Sequence, residues 1–358
     1  METIMCNFNY LNLANQKWDN EILNYVAVIR QANAKQETYL KLKPASLERL
    51  VEVAIRQSTE ASNEIEGIRT TKSRLAKLCA EKTTPKNRDE KEIAGYRDVL
   101  TTIHQSHEFI PIRPSYILQL HRDLLKHADV GFGGRFKDSQ NEIAGVAADG
   151  KQFTVFLPMP PFETPDAIEA ICENYNQAIA QGTVDALVLI PIFILDFLCI
   201  HPFNDGNGRM SRLLTTLLLY KAGFPIGRYI SLESKIAKNK ASYYDAIEAS
   251  DQNWADGTND PAPFIKYILG TIISAYRDLE DRLSIIEKGN KSLEQVRQAV
   301  GGIIGRFTKR QVLEMLPAVG KSSVENALKA LVKEGLLLRF GEGRSTYYVR
   351  SDSGYSPK

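Results

Sequence analysis

The chain has 358 residues, of which 43% are hydrophobic and 25% charged, and its formal net charge is +2. That length supports two or three domains with a substantial core, and the balance is that of an ordinary globular chain rather than a disordered or fibrous one. A nearly neutral protein has no global field for nucleic acid or membrane, so any such signal must be local.

In chain order, Met1 to Asn20 lacks a basic stretch followed by an apolar one and does not read as a signal peptide. Residues 1–110 read as helical with a polar surface. From Leu47 to Ala61, Leu50, Val51, Ala54 and Ile55 recur at helical spacing among Glu48, Arg49, Glu52, Arg56 and Gln57. This helix runs on into Ser62-Asn63-Glu64-Ile65-Glu66-Gly67, where Gly67 is a natural stop. Taken alone, Glu66 is a solvated carboxylate at a helix C-terminus. The macrodipole disfavours it there, so a cationic partner would help to account for it. Further helices are expected over Lys72 to Glu81 and Asp89 to His104.

A second unit begins near Pro111. Ser115 to His127 is amphipathic, with His121 and His127 read as structural or surface histidines. Gly131 to Gly150 is too glycine-rich for a helix. Phe153 to Leu157 alternates and is closed by Pro158, Pro160 and Pro161, so it reads as a strand paired with the stretch around Glu142 to Val146. An isolated hairpin has an open edge, a liability unless something uses it. Pro165 opens a helix to about Ala180. Asp185 then caps an apolar helix, Ala186 to Ile200, in which Pro191 should mark a kink or the true start. That run is too short for a confident membrane span. The four cysteines, Cys6, Cys79, Cys172 and Cys199, share no metal-ligand spacing, which argues against structural zinc and a disulfide framework.

The helix leads directly into His201-Pro202-Phe203-Asn204-Asp205-Gly206-Asn207-Gly208-Arg209-Met210-Ser211-Arg212. Core packing has no use for that mixture, because each buried polar group costs free energy unless it is paired. Chemically it is a parts list. Gly206 and Gly208 let backbone amides approach an anion before a helix N-terminus. Arg209 and Arg212, three apart, reach the same side. Asp205 is a hard oxygen ligand suited to Mg²⁺ bridging phosphates, and His201 is placed to take a proton from an attacking hydroxyl. Together they suit phosphoryl or nucleotidyl transfer. Neither a Walker loop nor a dinucleotide fingerprint is present.

Helices follow at Ser211 to Lys221, Asn239 to Ala249 and Pro261 to Ile286. The last part changes character. Lys309 to Leu316, then a helix capped by Ser322 and running to Glu334, then strands at Leu336 to Phe340 and Ser345 to Val349 make a winged-helix pattern. From Arg306 to Arg350 there are nine Lys/Arg against four Glu. Two readings stay open for that basic surface, DNA contact and a packing or dimerisation module. The tail, 351–358, is expected to be disordered.

Residues 201–212 resemble the Fic motif, HPFx[DE]GNGRxxR, at every defined position, and Ser62 to Gly67 resembles the inhibitory pattern [ST]xxxE[GN] of Fic proteins whose inhibitory helix precedes the core. The resemblance implies a mainly α fold: an inhibitory helical region (1–110), a Fic core with a β-hairpin flap (111–285), and a linker helix with a winged-helix domain (286–350). It implies a cytoplasmic adenylyltransferase that moves AMP from ATP, with Mg²⁺, to a Ser, Thr or Tyr hydroxyl of a target protein, including this chain itself. His201 would be the base and Asp205 the metal ligand. Gly206, Asn207 and Gly208 would form the anion hole, Arg209 and Arg212 would hold the β- and γ-phosphates, and Met210 and Ser211 would complete the nucleotide-binding run. Glu66 would pair with Arg212 and block ATP, with Ser62 and Gly67 shaping that helix end. Thr154, Val155, Phe156 and Leu157 would register the target. Asn239, Tyr243 and Tyr244 are candidates for the adenine pocket. A homodimer is consistent with family habit. Two alternatives stand beside this reading: removal of AMP from a modified protein, with Glu66 aligning a water, and a nucleotide-sensing regulator that binds DNA through residues 306–350.

Overall fold

The computed structural model of the chain describes residues 8–42, 44–128, 130–146, 152–287 and 292–351. The expected tail therefore lies, from 352 on, outside the described residues. In chain order the elements are α1 (Asn20–Leu42), α2 (Pro44–Ile65), α3 (Lys72–Cys79), α4 (Arg88–Ser106), α5 (Pro114–Leu125), β1 (Ile143–Val146), β2 (Gln152–Phe156), α6 (Thr164–Gln181), α7 (Ala186–Ile200), α8 (Asn207–Lys221), α9 (Leu232–Lys238), α10 (Lys240–Asp251) and α11 (Ala262–Glu287). Then come α12 (Ser292–Gly301), α13 (Lys309–Met315), α14 (Lys321–Lys333), β3 (Leu337–Phe340) and β4 (Tyr347–Arg350). The fold is mainly helical, as expected, and among the described residues no helix is long and apolar enough to cross a membrane.

The residues gather into two compact units, one drawn from 1–33 and 55–275, the other from 34–54 and 276–358. The sequence divisions at 110 and 285 cut the chain differently. In the first unit the segment before 110 is bonded into the rest: Ser58 Oγ and Tyr96 Oη both donate to the buried Glu233, at 2.6 and 2.9 Å.

The first unit is built around α7. Its sequence is apolar on every side, and such a helix can only be central; every residue from Leu187 to Ile200 is buried. The Asp185 side chain caps it by accepting from Leu187 N at 2.9 Å. Pro191 lies inside the helix and does not mark its start. Helices α6, α8 and α10 pack against α7.

One carboxylate interrupts this apolar helix. Asp196 accepts from Tyr10 Oη at 2.6 Å and from Trp254 Nε1 at 2.7 Å, and burial pushes its carboxyl up to about 6. Tyr10, far away in sequence, is thereby tied to the core. Removing one donor from a buried carboxylate costs about 1.5–3 kcal/mol. Tyr10→Phe is therefore expected to lower stability by about that amount, read as a shift of the urea midpoint with the slope unchanged.

The hairpin β1–β2 is antiparallel, with Ile143 opposite Phe156 and Val146 opposite Gln152, and an irregularity between Ile143 and Ala144. The strand ends at Phe156, so Leu157, expected within it, lies just beyond and is exposed. In the second unit α12, α13, α14 and the antiparallel pair β3–β4 share a core that includes Val296, Val312, Val324, Leu328 and Leu331. Helix α14 starts at Lys321 with Gly320 as its N-cap residue, not Ser322.

Candidate active site

The motif occupies the turn between α7 and α8. Helix α7 ends because His201 takes a left-handed conformation, φ 52° and ψ 61°. A non-glycine residue there is uncommon and costs roughly 1–2 kcal/mol, so neighbouring contacts must hold it. The contacts around it are dense. Lys137 Nζ donates to Ile200 O and Asn141 Oδ1, both at 3.0 Å, and Lys137 N donates to Pro202 O at 2.8 Å. Asn141 Nδ2 and Asn207 Nδ2 both donate to Phe203 O, at 3.0 and 2.7 Å, while Asn207 Oδ1 accepts from Phe203 N at 2.9 Å. His121 stacks on Phe203 with ring centroids 3.6 Å apart. Its Nδ1 accepts from Gly134 N and its Nε2 faces Asp205 O, each at 3.0 Å. His121 is thus a structural histidine, and the Asn207 side chain braces the turn.

His201 itself is ready to accept a proton. Its Nδ1 faces Leu198 O at 3.3 Å, which can only accept, so we assign the proton to Nδ1 and the lone pair to Nε2. Burial is the main reason its imidazole is pushed down to about 4. No spacing in the sequence marks Lys137, 64 residues away, as a support for His201. Lys137→Met should lower the turnover of any reaction based on His201 about tenfold with little change in nucleotide affinity, since a displaced base loses alignment rather than binding. Steady-state kinetics separates the two.

Helix α8 begins four residues earlier than periodicity suggested, at Asn207. Gly206 supplies the left-handed N-cap, φ +85°, which side chains disfavour. This places Gly208 on the first turn, where backbone N–H groups lack helical partners and attract anions. The anion standing there is Glu66. An added Cβ at Gly208 would collide with Glu66 Oε1. The same oxygen accepts from Arg212 Nη2 at 2.7 Å, across 146 residues of sequence. Arg212, almost fully buried, also donates from Nε to Ser62 Oγ at 2.8 Å and from Nη2 to Ser62 O at 3.0 Å. Lys240 Nζ, donating to Ile65 O at 2.6 Å, caps the end of α2 that carries Glu66. The carboxylate thus lies between a helix N-terminus and an arginine, two groups that attract anions.

Arg209 is placed otherwise. It is 1% exposed and donates from Nη1 to Glu92 Oε2 at 2.7 Å, with Asp205 Oδ1 3.4 Å from Nη2. Arg88 also reaches Glu92, at 2.7 Å, and stands 3.6 Å from Asp205 Oδ2. Glu92, which no sequence motif marks, anchors this network. Asp205 Oδ1 additionally accepts from Gly206 N at 2.6 Å. The Asp205 side chain is 42% exposed. One accessible carboxylate suits Mg²⁺, which usually takes one or two carboxylates and completes its shell with phosphates and water. Among the described residues no group of three or more His, Cys, Asp or Glu could hold a metal by itself, so a metal would depend on the nucleotide for its other ligands.

A cavity of about 600 Å³, within the size range of small-molecule sites, collects most of these groups. Glu66, Phe156, His201, Gly208, Arg212, Tyr243 and Tyr244 line it. Met210 and Ser211 are buried away from its lining, and Asn239 lies at the start of α10 with its Oδ1 accepting from Ser242. The structure adds Leu198, Ile247, Glu248 and Asp251 to the lining, which no sequence motif marked. Thr154 and Val155 lie on β2 beside it in sequence to Phe156.

Residues 111–219 match the Fic/DOC family. The chain is 29% identical to "Protein adenylyltransferase Fic" of Aedes aegypti over 49% of its own length and 30% of the mosquito protein. It thus spans under a third of the length of that curated relative. Among solved structures, a Fic family protein from Desulfovibrio desulfuricans superposes with a TM-score of 0.61 at 20% identity, covering 95% of this chain and 99% of that one. A Fic domain containing signaling protein from Bacteroides thetaiotaomicron gives a TM-score of 0.59 at 26% identity, covering 70% of this chain and 94% of that one. The motif, the helical core and these matches agree that residues 111–219 form a Fic/DOC domain.

Proposed function

We propose that the protein is an autoinhibited protein adenylyltransferase. The observation that carries this reading is the seat of Glu66, whose carboxylate lies over Gly208 and against Arg212 2.7 Å away, where a nucleotide phosphate would bind. In the reaction, a target Ser, Thr or Tyr hydroxyl gives its proton to His201 Nε2. Its oxygen bonds to the α-phosphorus of ATP, the bond from that phosphorus to the β-phosphate bridging oxygen breaks, and pyrophosphate leaves with the electron pair. The first N–H groups of α8 and Arg212 bind the phosphates and stabilise their charge. Asp205 would hold Mg²⁺, which would neutralise charge on the phosphates. The hairpin β1–β2 offers an open edge to which a target segment can add as a strand.

The test is to give the Glu66→Gly chain a cell lysate and ATP labelled on either the α- or the γ-phosphate. Label should enter protein from the α position only. Transfer of the γ label, or of label from another nucleotide in preference to ATP, would replace this reading. If wild type removes the label from modified protein and Glu66→Gly does not, the reaction runs towards release of AMP. The reading of residues 306–350 as a DNA surface gains little. Lys309 pairs with Glu325 at 2.6 Å and Arg310 with Glu314 at 2.8 Å, which uses part of the local positive charge.

A further inference from the structure

The first unit holds a smaller cavity of about 180 Å³ that shares no lining residue with the one around His201. Asp196 of α7 lies in its lining at 7% exposure, between Tyr10 and Trp254, each at 3%. The rim is open to solvent, since Gln16 and Gly257 are exposed. Two short turns bring the rings together. A 3₁₀ turn over Tyr10–Asn15 carries Tyr10, with Phe8 just before it, and a second over Trp254–Asp256 carries the indole. The carboxylate itself sets two of these rings. Asp196 Oδ2 accepts from Tyr10 Oη at 2.6 Å, and Oδ1 accepts from Trp254 Nε1 at 2.7 Å. Phe8 stands against Trp254 with ring centroids 6.1 Å apart and planes tilted by 48°. Three aromatic side chains and one carboxylate thus border a single small space.

What this space lacks is a positive charge. Among the described residues no lysine, arginine or histidine acts on Asp196, although buried carboxylates are ordinarily paired. Burial raises the carboxyl only to about 6, so it is ionised at neutral pH. Its two oxygens offer about four acceptor sites, and Tyr10 and Trp254 fill only part of them. We propose that this cavity binds a small organic cation, an alkylammonium head seated on Asp196 and enclosed by Phe8, Tyr10 and Trp254. The carboxylate attracts such a head as a charge, and the aromatic rings attract it through their quadrupoles. Its alkyl groups suit the rest of the lining, which includes Leu13, Ile192 and Leu195. The volume matches as well, since it equals about six water volumes and holds a ligand of about that many heavy atoms. A metal ion is the competing occupant. It is disfavoured because a hard cation needs several oxygen ligands, and the one carboxylate here is surrounded by aromatic and aliphatic side chains.

Choline and dimethylbutanol, its neutral analogue with carbon in place of nitrogen, test this. Binding of each to the full-length chain is measured by calorimetry, for wild type, Phe8→Leu and Asp196→Asn. Choline is expected to saturate one site and to bind about tenfold or more tighter than the alcohol. Phe8→Leu keeps the apolar bulk without the ring and should weaken choline about fivefold. Asp196→Asn keeps the shape without the charge and should abolish the preference for choline over the alcohol. A urea transition shows whether each variant is folded. Phe8 is only partly buried, so Phe8→Leu carries the test if Asp196→Asn does not fold. Absent choline binding, equal binding of the two probes, or unchanged choline affinity in a folded variant overturns the proposal. Displacement of choline by an equal concentration of potassium or calcium chloride makes this a metal site and overturns it too. The acetylated amide of trimethyllysine separates two sources of the same head. Tighter binding than choline assigns the head to a modified protein side chain, and weaker binding assigns it to a free small cation. The probes contain no nucleotide, so their failure leaves the transfer reading as it stands.

Discussion

Glu66→Gly is expected to raise nucleotide affinity roughly 10- to 100-fold and to turn a nearly silent chain into one that labels protein from α-labelled ATP. The magnitude follows from what the substitution removes. On the proposed function, a phosphate in the wild type has to displace a carboxylate that is hydrogen-bonded to Arg212 and lies on the N-terminus of α8. A hydrogen bond of this charged kind contributes about 1.5–3 kcal/mol net. The displaced residue belongs to a helix end fastened at Ser58, Ser62 and Ile65 O, so it cannot simply swing aside. Glycine is the informative choice, since Gln would keep a hydrogen-bonding group over Gly208 without the charge. Titration of ATP against both variants and wild type, with label incorporation followed in parallel, checks the ranking Gly above Gln above wild type. Equal affinities in all three would sink the inhibitory reading.

His201→Ala in the Glu66→Gly background is expected to cut labelling by about 10²–10⁴-fold, the usual contribution of a positioned general base. Nucleotide affinity should hardly change, because the arginine and the amides of α8 remain. The pH dependence offers an independent check. Burial holds the imidazole neutral down to about 4, from 6.5 for a free histidine. The base is thus competent across neutral pH, and its acid limb should fall near 4 rather than 6.5. Glu66 is one of the charges that raise the His201 value, so removing it moves the limb further down and not up. The same depression makes a contribution to folding that is full above 6.5 and is lost as pH falls through 6.5 towards 4. A limb near 6.5 in the Glu66→Gly chain would mean that the titrating base is another group or that His201 is solvated in the working state.

Much of the site was legible because its chemistry is local. From His201 to Arg212 the glycines, carboxylate, histidine and arginines lie within one turn and the start of a helix, and the buried helix before them is unmistakable in its apolar run. The hairpin was readable from alternation and prolines. Helix starts were less so. Ser211 looked like the beginning of α8, but Gly206 in its left-handed conformation and the Asn207 side chain bonded to Phe203 start the helix earlier. Arg209 and Arg212 show the limit of reading by type. Both are arginines at helical spacing, yet Arg209 is almost fully buried against Glu92 while Arg212 reaches the cavity and Glu66.

By itself, then, the sequence determined which groups the site contains and that they stand at a helix N-terminus, because backbone geometry and spacing over a few residues are enough for that. Only the tertiary structure decided what each group faces. It set Glu92 against Arg209, Lys137 behind His201 and Tyr10 on Asp196. Such pairings link residues tens to more than a hundred positions apart, and they follow from the packing of whole helices, which no local pattern of residues encodes.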